Sequence, residues 1–141
     1  MYKIVLAVTG GIAIGIIIEK LIAQMKENQR IERSKILENC FGEPMYTNCF
    51  SMEEVKEWIK GREDKLKAGA KAVILKANKN TLQKIGKDLD IGEGLDKNIV
   101  IAVVDESNKS IEDSILVKYE KLDDVLENAL AKGDGVLVVE G

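Results

Sequence analysis

Apolar residues along this chain gather in short dense runs, and glycine, asparagine and charged clusters punctuate them. Residues 3–8 form a run rich in β-branched side chains, the pattern of a strand covered on both faces. Thr9-Gly10-Gly11 interrupts it, and residues 12–28 then read as a helix. That helix is apolar on almost every side until Glu19, which predicts deep burial of its first half. Residues 29–38 are charged and extend the helix or begin a second one. Residues 41–44 break the pattern and hold the only proline of the chain, Pro44. Ser51 followed by Glu54 has the spacing of a capping box and opens a helix carrying Trp58. Residues 70–75 predict a strand, 80–89 a helix, and Gly92 and Gly94 a loop. Residues 98–104 predict another strand and 114–119 a further one. Residues 123–132 read as a helix with an acidic start and Gly133 as its C-cap. Residues 135–140 close the chain as a strand. Strands alternating with helices predict an α/β fold: a Rossmann-like three-layer arrangement, its sheet mostly parallel, with helices on both faces.

At 141 residues the chain fits one domain, 1–141, and no repeat or linker divides it. Hydrophobic residues make up 45% and charged residues 32% with both signs interspersed, a globular composition. The net charge of −3 and the lack of a basic block argue against a nucleic-acid partner. The apolar stretch over residues 4–18 is shorter than the roughly 18–20 residues a membrane span needs, and it has no signal-peptide cleavage pattern. A cytoplasmic protein without membrane attachment is expected. Cys40 and Cys49 are too few for a closed zinc or iron–sulfur site, and their spacing is not a metal pattern, so reduced thiols are expected. The chain has no histidine, which removes the commonest acid–base group and any Ser–His or Cys–His nucleophile.

In open parallel sheets ligands bind beyond the carboxyl ends of the strands, and three segments leave predicted strand ends here. Thr9, Gly10, Gly11 and Ile12 join two glycines and a hydroxyl to the start of a helix, a geometry that offers amides to an anion. The same residues equally make a tight strand-to-helix turn. They match neither the dinucleotide fingerprint nor a P-loop. The second segment offers Lys76, Asn78, Asn80 and Thr81, as ligand contacts or as a helix cap. The third, Asp105-Glu106-Ser107, would repel phosphate and reads as a solvated turn.

Four stretches together resemble the family of flavin mononucleotide-dependent cysteine decarboxylases, phosphopantothenoylcysteine decarboxylase among them. Residues 3–13 resemble the opening strand and flavin-phosphate turn of that family, and Phe41-Gly42-Glu43-Pro44-Met45-Tyr46-Thr47-Asn48-Cys49-Phe50 its S-G-N-P-V-Y-T-D-L-F stretch. Ala77-Asn78-Lys79-Asn80-Thr81 resembles its A-S-A-N-T segment, and residues 98–106 stand in the place of its strand ending in P-A-M-N. The resemblance implies a Rossmann-like flavoprotein domain, a homotrimer or larger assembly, that holds the flavin at subunit contacts. The family's catalytic histidine, asparagine and cysteine are missing: Arg62 lies near the place of the first, Glu106 replaces the second, and no cysteine follows Cys49. The interval before Phe41 leaves the family's second strand shortened or missing.

The leading expectation is therefore a domain binding a phosphorylated cofactor, most plausibly flavin mononucleotide (FMN), through Thr9, Gly10, Gly11, Ile12, Asn78, Asn80 and Thr81, with decarboxylase chemistry lost or altered. Its catalytic residues are unknown. One rival is a non-catalytic paralogue that serves as an assembly or regulatory subunit, plausibly homo-oligomeric. The other is a flavin-free binder of a phosphorylated metabolite that uses Lys76, Lys79 or Lys84 as clamps.

Overall fold

A computed structural model describes residues 3–5, 11–27, 35–78, 80–82, 97–107 and 109–140. Along the chain these form β1 (Lys3–Val5), α1 (Gly11–Glu27), α2 (Ile36–Phe41), β2 (Pro44–Phe50), α3 (Met52–Lys60) and α4 (Glu63–Lys67). There follow β3 (Lys71–Lys76), β4 (Asn98–Val104), β5 (Ile111–Leu122), α5 (Asp124–Lys132) and β6 (Val136–Glu140).

The strands make one six-stranded sheet in the order β1-β6-β3-β4-β5-β2. Four of its ladders are antiparallel, β1–β6, β3–β6, β3–β4 and β4–β5, and only β2–β5 is parallel. The expected mostly parallel, Rossmann-like sheet is thus corrected to a mixed, mainly antiparallel one. The cause is plainest between β4 and β5. Only residues 105–110 join them, and a parallel crossover needs about a dozen residues or more. The segment closes instead as a hairpin, with Asp105 N–H donating to Ser110 O at 3.0 Å.

Helices do cover both faces. On one, Ile17 and Leu21 of α1 and Ile36, Leu37, Cys40 and Phe41 of α2 pack on Val73, Leu75, Val100, Ala102, Leu116 and Val138. On the other, Val55 and Ile59 of α3, Leu66 of α4 and Leu126 and Leu130 of α5 pack on Ala72, Ile74, Ile99, Ile101, Val117 and Leu137. Central strands then bury both sides, and all seven residues of β4 are buried. The two-faced cover produces the unbroken apolar runs that suggested parallel strands.

The helix signals act as read. Ser51 Oγ accepts the Glu54 N–H at 3.2 Å, the first half of the capping box. Asp123 caps α5 through the Leu126 N–H at 2.8 Å, and Gly133 follows its last turn. The same Asp123 carboxylate also accepts the Met52 N–H at 3.4 Å, tying the starts of α3 and α5 together. The strand expected over residues 114–119 is the middle of the longer β5. A strand that the pattern did not announce, β2, begins at Pro44 itself. No helix among the described residues is long and apolar enough to cross a membrane.

Candidate functional site

Strand direction decides which expected site residues can meet. β1, β2, β3 and β5 point one way and β4 and β6 the other. The chain therefore leaves β1 and β3 toward the same end of the sheet, as two of the three candidate segments require. The acidic segment after β4 lies at the opposite end.

Gly11 and Ile12 are the first two residues of α1, so a helix does begin at the expected glycine. Thr9 and Gly10 lie outside the described residues, as does most of the helix expected over 80–89. Asn78 acts as a cap: its Oδ1 accepts the Thr81 N–H at 2.9 Å and its carbonyl accepts the Leu82 N–H at 3.0 Å. Thr81 is 6% exposed and sits beneath Gly135, whose φ of +92° and lack of Cβ leave room for it. Asn80 is exposed. Of the expected cofactor contacts, then, Asn78 and Thr81 already serve the local turn.

At the far end, Asp64, Asp105, Glu106 and Glu112 border an open cleft of about 790 Å³. Asp105 is engaged within its own loop, accepting from Ser107 Oγ at 2.5 Å and from the Lys109 and Ser110 N–H groups at 2.7 and 2.9 Å. The Ser107 hydrogen bond, with those from Ser110 and Lys109, holds its carboxyl below the usual range. This is the bracing of a hairpin turn. Among the described residues no cluster of histidine, cysteine and carboxylates could hold a metal ion. Cys40 is buried, and burial pushes its thiol up to about 11, against the opposing pull of Lys20. A thiol so protonated is no nucleophile at neutral pH.

The more open chemistry lies at the other edge of the sheet. β2 pairs with β5 on one side and has no strand neighbour on the other among the described residues. Its sequence, Pro44 to Phe50, carries no charge. Edge strands usually carry charges or bulges that discourage further pairing, and apart from Pro44 at its start this one has neither. Only three large hydrophobic residues are exposed among the described ones, and two stand here: Met45 at 41% and Tyr46 at 73%.

Between β2 and α3 runs a groove of about 540 Å³. Ile101 and Ile115 line its sheet side, Phe50 and Trp58 supply aromatic surface, and Glu54 and Glu57 bring carboxylates. Trp58 is held in place. The Arg62 guanidinium lies 3.7 Å from the centre of its indole, donates from Nη1 to the Trp58 carbonyl at 2.9 Å, and pairs through Nε with Asp113 Oδ2. The residue nearest the family's histidine is thus a clamp joining α3 to β5. On the opposite face of β2, Lys118 sits over the Tyr46 ring and pairs with Glu38 of α2 at 3.4 Å.

No family model, curated protein or solved structure matches the chain. In the sequence Trp58, Tyr46 and Phe50 read as core or interface residues, but the groove they share is not visible there, because residues 41–50 read as a break and as part of a resemblance. The signal that could have found them was present: Met45-Tyr46-Thr47 and Cys49-Phe50 are strand formers without a charge among them.

Proposed function

We propose that this chain is a non-catalytic interaction domain, an assembly or regulatory subunit that takes an extended segment of a partner protein along the open edge of β2. The supporting observation is the uncharged edge strand with Met45 and Tyr46 exposed on it. Strand addition supplies main-chain hydrogen bonds, and alternate side chains of the incoming segment supply specificity. Those on the α3 face reach the groove beside Phe50 and Trp58, where Glu54 and Glu57 stand without a lysine or arginine within ion-pair distance among the described residues. That groove fits an apolar side chain with a lysine or arginine two residues away, on the same face of the incoming strand. A second copy fits less well. Two-fold antiparallel pairing of β2 would set the α3 helices of both chains, with their Glu54 and Glu57, on one face across the same seam.

Trp58 is the only tryptophan, so its emission reports occupancy. A nonapeptide with threonine at its odd positions and lysine, valine, lysine and valine at its even ones should shift that emission saturably, and its counterpart with glutamate for lysine should bind at least tenfold more weakly. Tyr46→Lys should abolish the response with the fold intact. Equal binding of both peptides, or of neither, refutes the reading. Concentration-dependent dimers in sedimentation that Tyr46→Lys dissolves would assign the edge to a second copy instead.

A second reading keeps the phosphorylated cofactor, FMN, at the turn before α1, and the observation favouring it is that α1 begins at Gly11 after a strand. The amides of a 17-residue helix's first turn suit a phosphate. Fluorescence quenching of FMN on titration with the protein tests it, and an unquenched flavin ends it.

A further inference from the structure

We propose that the end of the sheet where β3 stops and β4 starts carries a separate binding site for a small phosphorylated ligand, formed by Lys76, Lys97, Lys121 and Asn78. These residues come from three places in the chain. Lys76 ends β3, Lys97 immediately precedes β4, and Lys121 stands where β5 runs on past β4 with only β2 beside it. They border one cleft of about 310 Å³, near the lower end of ordinary small-ligand sites.

Two independent features point to an anion. First, none of the three ammonium groups has a carboxylate within ion-pair distance among the described residues. Glu120 and Glu127 also line the cleft, beyond ion-pair distance of the three, so the lysines outnumber the carboxylates there. Lysines converging from separate strands repel one another until an anion enters. Second, Lys97 is held in the left-handed region at φ 53°, its carbonyl accepting the Tyr119 N–H at 3.1 Å. Residues with a Cβ are uncommon in this region and cluster at ligand-binding sites. Asn78 adds direction. Its Oδ1 is taken by the Thr81 N–H, which leaves its Nδ2 group as the donor. These ammonium and amide donors suit phosphoryl oxygens, and three lysines suit a ligand with at least two negative charges.

The test separates this site from the β2 edge and from one at the start of α1. Pyrophosphate is titrated into the full chain at constant ionic strength, with sodium chloride as the matched control, and read by melting temperature and by amide NMR shifts. The melting temperature should rise saturably with pyrophosphate and not with chloride. The largest shifts should fall on residues 76–78, 97–98 and 119–121. Lys76→Gln with Lys97→Gln should weaken binding at least tenfold, whereas Lys60→Gln on α3 should leave it unchanged. Lys97→Gly gives a result that lost folding cannot imitate: the free protein melts higher because the strain is relieved, while pyrophosphate binds more weakly. Binding that survives the double substitution, or shifts confined to the start of α1, overturns the assignment.

Discussion

Placing an alanine at Gly135 tests whether Thr81 is a packing residue or a ligand contact. Gly135 has φ +92°, and a Cβ there would lie 2.5 Å from Thr81 Oγ1, 2.7 Å from its Cγ2 and 3.1 Å from its Cβ. The backbone conformation costs a residue with a Cβ about 1–2 kcal/mol. Forcing the methyl against a side chain that is 6% exposed adds about 1–3 kcal/mol of overpacking. The total, about 2–5 kcal/mol, is a large part of the roughly 5–15 kcal/mol that holds a domain folded. For a chain of this length each kcal/mol lowers the melting temperature by about 3–4 °C, so Gly135→Ala should melt about 6–20 °C lower. Thr81→Ala removes the two nearest atoms, Oγ1 and Cγ2, and leaves the strained backbone. In the Gly135→Ala background it should therefore recover about 1–2 kcal/mol, a coupling visible in a double-mutant cycle by urea unfolding followed through Trp58 emission. Strictly additive effects would refute the contact, and with it the account of Thr81 as a residue committed to packing.

Four further outcomes follow from single groups. Cys49 should react with a disulfide reagent at neutral pH while Cys40, buried and held protonated up to about 11, stays protected until the protein unfolds. Because the unfolded thiol ionises near 9.0 and the folded one only near 11, stability should decline as pH rises through that window, and Cys40→Ala should flatten the decline in urea titrations. Asp123→Ala should cost about 1–2 kcal/mol in the same assay, since one carboxylate serves both Leu126 N–H and Met52 N–H, and Asp123→Asn should restore most of it. Asp105, whose carboxyl lies below its usual value of 3.8, contributes stability that is present above that value and lost as pH falls further. Protection of the Lys109 and Ser110 amides against hydrogen exchange should fall as pH drops below that value, and Asp105→Ala should show the lower protection already at neutral pH.

Much of the local structure stands in the sequence because its causes are local. Ser51 and Asp123 announce their helices through side chains that reach amides three residues on, and Gly133 ends the last helix where chain geometry demands it. The apolar runs at 71–76, 98–104 and 136–140 mark strands because burial excludes polar side chains there. Strand direction was not written in those runs. A strand covered by helices on both faces reads the same whether its neighbours run with it or against it, so β3, β4 and β6 gave no sign of being antiparallel. The short connection over residues 105–110 would have revealed one reversal, had β5 not begun in the polar stretch Ile111-Glu112-Asp113.

The candidate sites divide in the same way. Asn78 and Lys76 could be picked out because they follow a strand, yet their companions Lys97 and Lys121 are ordinary surface lysines until the fold brings β4 and the far end of β5 beside them. The groove along β2 needs Trp58, Phe50, Ile101 and Ile115 from four elements and the chain turns around them. By itself, then, the sequence determined where helices begin and which strands are buried, since those depend on neighbours a few residues away. Only the tertiary structure decided strand order and direction, and with them which end of the sheet gathers lysines, which gathers carboxylates and which edge stays open. Such choices rest on contacts between residues tens of positions apart, and no local pattern encodes them.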